Sequence, residues 1–151
     1  MKVRFILTGL LVSGAALAAD TGPAREEPGD ALLSQAKEAV KRQDWTAAQN
    51  LLREAVAVNP GSADMHNLYA YSLRKSANPD MNLVFKHYNE ALKIDPKHRG
   101  AHEYIGEAYL MVGNVAKAKE HLATLDRLCF FPCSEHAELK KAIAAHEGKS
   151  K

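Results

Sequence analysis

The chain has 151 residues, of which 46% are hydrophobic, 25% charged and 7% aromatic, with nine Gly, six Pro and two Cys. This is globular composition. It excludes collagen-like, mucin-like and wholly disordered chains, and the length fits one domain of about 100–150 residues. The formal charge is only +2, and two cysteines cannot build a disulfide-dense scaffold or a four-Cys zinc site.

Residues 1–19 have the layout of a secretory signal peptide. Lys2 and Arg4 precede an apolar run from Phe5 to about Leu17, and Ala16, Leu17, Ala18 and Ala19 supply an Ala-x-Ala cleavage site after Ala18 or Ala19. The run is shorter than the roughly 20 apolar residues of a spanning helix and carries Gly9 and Gly14. Cleavage is therefore expected rather than anchoring, with the mature chain exported, in the style of a bacterial periplasmic protein. Without Lys2 and Arg4, the 18 remaining basic residues match 18 acidic ones. A neutral balance offers no general pull toward nucleic acid or an anionic membrane. Residues 20–30 (DTGPAREEPGD) are polar and rich in Pro and Gly, and read as a flexible linker.

From residue 31 onward, apolar residues recur at spacings of three and four, and breakers fall every dozen residues or so. The predicted helices run over 31–40, from Trp45 to about Val58, from Ser62 through Leu73, from Asp80 to Ile94, from about Gly100 to Val112, from Asn114 to about Leu128, and from Ser134 to near Gly148. Asp44, Ser62, Asp80, Asn114 and Ser134 are the predicted N-caps, and Asn59-Pro60-Gly61, Asp95-Pro96 and Gly113 are the stops. No segment alternates convincingly enough to be a strand.

The helices come in pairs that repeat. Residues 47–60 (AAQNLLREAVAVNP) align on their proline with 84–96 (VFKHYNEALKIDP), so that Ala48, Leu52, Ala55 and Pro60 fall on Val84, Tyr88, Ala91 and Pro96. A third copy keeps Ala118 and Leu122 but has Leu125 and Phe130 in place of Ala and Pro. Ile105-Gly106, Tyr109 and Gly113 repeat Tyr69-Ala70, Leu73 and Ala77 at a period of about 34–36 residues. This pattern resembles the tetratricopeptide repeat, a helix–turn–helix unit of about 34 residues. The resemblance covers roughly 29–130. It departs from the family in unit one, which has Gln35-Ala36 for Leu-Gly, and in lacking the first-helix tryptophan, Trp45 opening a second helix instead. It implies an all-α, right-handed superhelical solenoid of about three units spanning 31–147. The helix from 134 is a cap whose Leu139, Ala142 and Ile143 cover the last unit, and 148–151 form a tail.

Cys129 and Cys133 lack the C-x-x-C redox spacing. In an oxidising compartment they read as a disulfide across the Pro132 corner, with Phe130 and Phe131 expected to bury under the capping helix against Leu128 and Leu139. A metal site using Cys129, Cys133 and His136, with His121, is a second reading. Free thiols are a third. Of the seven histidines, His66 and His102 hold the fourth position of their units, where a packed side chain is expected, and His98 falls in a turn. No nucleophile elbow, H-E-x-x-H or phosphate loop occurs. No enzyme activity, cofactor or nucleic-acid partner is therefore expected.

The family resemblance implies a concave groove lined by the first helix of each unit. By position, that groove is Leu33, Lys37 and Lys41, then Asn67, Tyr71, Arg74 and Lys75, then Glu103, Glu107, Leu110 and Met111. The family's carboxylate-clamp subtype is not matched, because Leu33, Lys37, Leu68, Gly100 and Tyr104 stand at its basic and Asn positions, and of these only Lys37 is basic. The expected function is a non-enzymatic protein-binding adaptor in the periplasm. The alternative is a periplasmic metal-binding or redox accessory protein using Cys129, Cys133 and nearby histidines.

Overall fold

A computed structural model describes residues 27–149. The expected signal peptide, its cleavage site and residues 20–26 of the expected linker lie outside them. Seven helices follow in order: α1 (Pro28–Lys41), α2 (Trp45–Val58), α3 (Ala63–Arg74), α4 (Met81–Ile94), α5 (Arg99–Met111), α6 (Val115–Leu128) and α7 (Ser134–Lys149). No strand occurs among the described residues.

The helix starts are fixed by side chains that accept from free N–H groups. Asp44 accepts from Ala47 N–H, Ser62 from Met65, Asp80 from Asn82 and Leu83, and Asn114 from Lys117. His98 caps α5 through Nδ1, which accepts from Ala101 N–H, while its Nε2 meets Asp64 at 2.9 Å. Several helix ends differ from the sequence reading by a residue, and two regions differ in kind. α1 begins at Pro28, inside the expected 20–30 linker, because proline at the first helical turn and Asp30 near the helix N-terminus both favour a start there. Gly29 is buried beside the Met65 side chain. Ser134 is the first residue of α7 rather than its cap, and α7 runs through Lys149 into the expected 148–151 tail.

Each pair packs as a hairpin, α1 with α2, α3 with α4 and α5 with α6, and successive hairpins stack. Three apolar clusters result. Leu33, Ala36, Leu52, Ala55, Met65 and Tyr69 form the first; Ala70, Val84, Tyr88, Ile105 and Ala108 the second; Leu110, Ala118, Leu125, Leu139 and Ile143 the third. Fully burying side chains of this size contributes about 1.5–3 kcal/mol each, and no hairpin could do so alone. α7 lies against both α5 and α6, as a further first helix would. Leu139 drops onto Gly106, where an added Cβ would sit 2.7 Å from both of its methyl carbons.

The corner before α7 corrects another expectation. Phe130 and Phe131 do not bury under α7: they are 93% and 77% exposed, edge to face with each other at 5.4 Å. The five-residue corner is drawn tight by Cys129 and Cys133, whose Cα atoms are 5.9 Å apart. A corner that short turns the intervening side chains outward, and Leu139 and Ile143, with the partly buried Ala142, supply the apolar contact that docks the helix.

Candidate functional site

The first helices of successive units touch in sequence, α1 on α3, α3 on α5 and α5 on α7. They therefore form one continuous face, on which the expected groove residues divide into three kinds. Leu33 and Leu110 are core, buried in the first and third clusters. Lys37 and Lys41 are exposed on α1, and Lys41 pairs with Glu38 of its own helix at 2.6 Å. The remainder converge around α3 and α5.

At the centre lies Arg74, only 8% exposed. Its Nη2 donates to Glu107 Oε2 at 2.6 Å and its Nε to Tyr88 Oη at 3.3 Å. The guanidinium also lies 5.5 Å from the Tyr71 ring centroid and 5.8 Å from that of Tyr104. A planar, delocalised cation suits such a site, because it can hydrogen-bond in its plane and stack on rings at once. Arg74 thus ties α3 to α4 and α5 rather than projecting as a free anchor. Around it runs an aromatic ladder: Trp45 meets Tyr71 edge-on at 5.9 Å, and Tyr71 meets Tyr104 at 4.7 Å. The exposed Lys75 reaches over Trp45 and Tyr71, at 5.9 and 5.8 Å. Asn67 is buried, and its Oδ1 has no hydrogen-bond partner among the described residues.

Beyond the ladder the face becomes acidic. Burial, with Glu107, Glu135 and Glu138 nearby, pushes the half-buried Glu103 carboxyl up to about 7, against the pull of Arg74. Burial and Glu103 likewise lift the Tyr104 hydroxyl to about 12. Next to these groups a cavity of about 270 Å³ opens between α5 and α7. Leu110, Met111, Ala142 and Ala145 give it apolar walls, and the Arg74–Glu107 pair, His146 and Lys149 stand around them. Met111 is 52% exposed. The sequence-derived groove omits the α7 residues because a capping helix is expected to cover the last unit rather than to line the groove. The signal was present: Ala142, Ala145 and His146 lie about one repeat beyond Glu107, Leu110 and Met111.

Sequence reasoning also missed two buried histidine pairs. His66 Nδ1 lies 2.9 Å from His87 Nδ1, and His66 Nε2 lies 3.1 Å from the Pro60 carbonyl. One repeat later, His102 Nδ1 lies 2.9 Å from His121 Nδ1, and His102 Nε2 lies 3.0 Å from the Pro96 carbonyl. A carbonyl only accepts, so Nε2 of His66 and His102 carries the proton. Their Nδ1 atoms then accept from Nδ1–H of His87 and His121. Burial, followed by the facing imidazole, lowers His87 and His121 to about 4. These are packed, hydrogen-bonded histidines, as expected for His66 and His102. The metal reading finds its residues otherwise engaged: Cys129 faces Cys133, His136 meets Asp126 at 2.9 Å, and His121 belongs to a pair.

The tetratricopeptide repeat profile matches residues 33–80, and the fold-level likeness extends over most of the chain. The TPR2B domain of yeast Sti1, solved as a complex with pHsp70, superposes with a TM-score of 0.72 at 19% identity, covering 81% of this chain and 98% of that one. The chain has the fold of a tetratricopeptide-repeat solenoid domain. The Yersinia enterocolitica type III secretion translocator chaperone SycD superposes on the solenoid at TM-score 0.70 and 15% identity, covering 86% of this chain and 99% of that one. SycD has also been solved in complex with a peptide of the translocator YopD. In sequence, the inactive TPR repeat-containing thioredoxin TTL3 of Arabidopsis thaliana is 28% identical over 102 residues, which is 67% of this chain but only 14% of TTL3.

Proposed function

We propose that the chain is a non-enzymatic adaptor, exported to the periplasm, that receives an extended segment of a partner protein on the face formed by α1, α3, α5 and α7. One observation carries the reading. The aromatic ladder Trp45–Tyr71–Tyr104, with its stacked cations, leads directly into an open, partly apolar cavity between α5 and α7. Rigid aromatics beside an apolar recess supply contact area at little entropic cost, as interface hot spots do. The peptide complex of SycD and the pHsp70 complex of Sti1 give this reading precedent on the same fold. Export is supported by the n-region, apolar run and Ala-x-Ala site of residues 1–19, and it accords with a Cys129–Cys133 disulfide.

A photo-crosslinking residue placed at Lys75 or Met111 should trap the partner, while one at the exposed Lys86 on α4 should not. Crosslinking at Lys86 with silence at both groove positions would move the binding surface to the other side of the solenoid. N-terminal sequencing of the protein recovered from its host should begin at Ala19 or Asp20.

A further inference from the structure

We propose that the α5–α7 end of this groove takes an extended peptide segment carrying a basic side chain and, about three residues further on, an aliphatic one. The proposal rests on the groove-binding reading above and adds the chemistry of the occupant.

The cavity assigns the aliphatic side chain. Ala142 and Ala145 stand on α7 where α5 carries Glu107 and Leu110 and α3 carries Tyr71 and Arg74. The face therefore loses side-chain volume between α5 and α7, leaving about 270 Å³ beside Leu110 and Met111. That space admits a leucine, isoleucine or methionine, and Met111, 52% exposed, would be covered by it.

Charge assigns the basic side chain and its side of the cavity. Glu103 and Glu107 on α5 face Glu135 and Glu138 on α7. The cations nearby are already committed. Arg74 donates to Glu107 at 2.6 Å, and Arg99 lies 3.7 Å from Glu135. Glu103 is half-buried without a hydrogen-bond or ion-pair partner among the described residues, so a lysine or arginine of the ligand would complete it. Burial first, and then Glu107, Glu135 and Glu138, push its carboxyl up to about 7, and a ligand cation would oppose both. Lys149 stands at the other side of the cavity, so basic residues are disfavoured beyond the aliphatic one. Glu103 and Leu110 are seven residues apart on α5, about 10 Å along the axis, which an extended chain spans in about three residues.

The test is a random-peptide phage library panned on the full chain, followed by binding measurements with synthetic copies of the enriched peptides. Enrichment of Lys or Arg followed two to four positions later by Leu, Ile or Met is expected. Binding should weaken about tenfold in E103Q/E138Q and again in A145L, which fills the cavity from an exposed position of α7. It should also strengthen as pH rises through about 7, where Glu103 ionises. Enriched peptides that are neutral or acidic yet lose affinity to A145L would overturn the charge assignment and leave the groove reading standing. Peptides indifferent to A145L and to Tyr71→Ala would overturn the groove reading itself, as would a library yielding no binders. Helical circular dichroism of each variant, unchanged from the parent, separates these outcomes from misfolding.

Discussion

The paired histidines make the solenoid's stability depend on pH in a direction that can be worked out. His87 and His121 titrate near 4 when folded and near 6.5 when unfolded. The unfolded chain therefore binds more protons between those values, and stability present at pH 7 is lost as pH falls through 6.5 toward 4. From pH 7 to pH 5 the loss is about 2 kcal/mol per pair, or about 4 kcal/mol for both. Glu103 opposes it. With a folded value of about 7 against the ordinary 4.5, its folded form gains a proton over the same interval, which adds up to about 2 kcal/mol before its partial exposure is discounted. Wild type should thus weaken modestly between pH 7 and 5, whereas Glu103→Gln, which cannot titrate, should show the full histidine loss. Urea unfolding followed by circular dichroism at each pH reads both. A Glu103→Gln protein whose stability is flat from pH 7 to 5, or imidazole resonances of His87 and His121 titrating near 6.5, would refute the reasoning.

Arg74→Ala should cost about 3–5 kcal/mol, because Glu107 is left without its cation and Tyr88 without its donor. Loss of binding in that variant therefore has to be read beside its melting curve. Gly106→Ala should destabilise, since about 1–3 kcal/mol of overpacking against Leu139 exceeds the roughly 1 kcal/mol helix gain; combined with Leu139→Ala, its cost should be less than additive in urea titrations. Gln43 holds a left-handed φ of 58° in the α1–α2 turn, where Gly113 serves the α5–α6 turn at 76°, so Gln43→Gly should raise stability by about 1 kcal/mol. Cys129→Ser with Cys133→Ser should still fold and should lose about 2 kcal/mol, the loop-closure value for so short a span; intact-mass analysis showing two free thiols in the native protein would remove the bridge.

Much of this fold was legible because its boundaries are chemical. Asp44, Ser62, Asp80 and Asn114 could be read as caps from the sequence, and the helices begin beside them. Pro28-Gly29-Asp30 misled because the same residues serve a linker and a helix start; burial of Gly29 beside Met65 decides between them, and that contact lies thirty-odd positions away. Phe130 and Phe131 misled because hydrophobicity states a preference, while the five-residue corner dictates direction. Position within the repeat located the groove face, yet it could not tell Leu33 and Leu110, which are core, from Tyr71 and Lys75, which are surface. The histidine pairs are joined across 21 and 19 residues, spacings with no periodic signature, so they become visible only once the hairpins close.

Those pairs also bear on how such a protein can change length. Each joint is built from a proline carbonyl contributed by the preceding unit and two imidazoles of the following one. A hairpin copied whole, together with its closing proline, therefore carries one half of a joint at each end and can be spliced between existing units without redesigning its neighbours. The first unit is exempt, since Leu32 and Leu51 fill its corresponding positions with oil rather than hydrogen bonds. An interior polar fastening and an apolar starting end are what let an array be extended from the middle while its beginning stays the same.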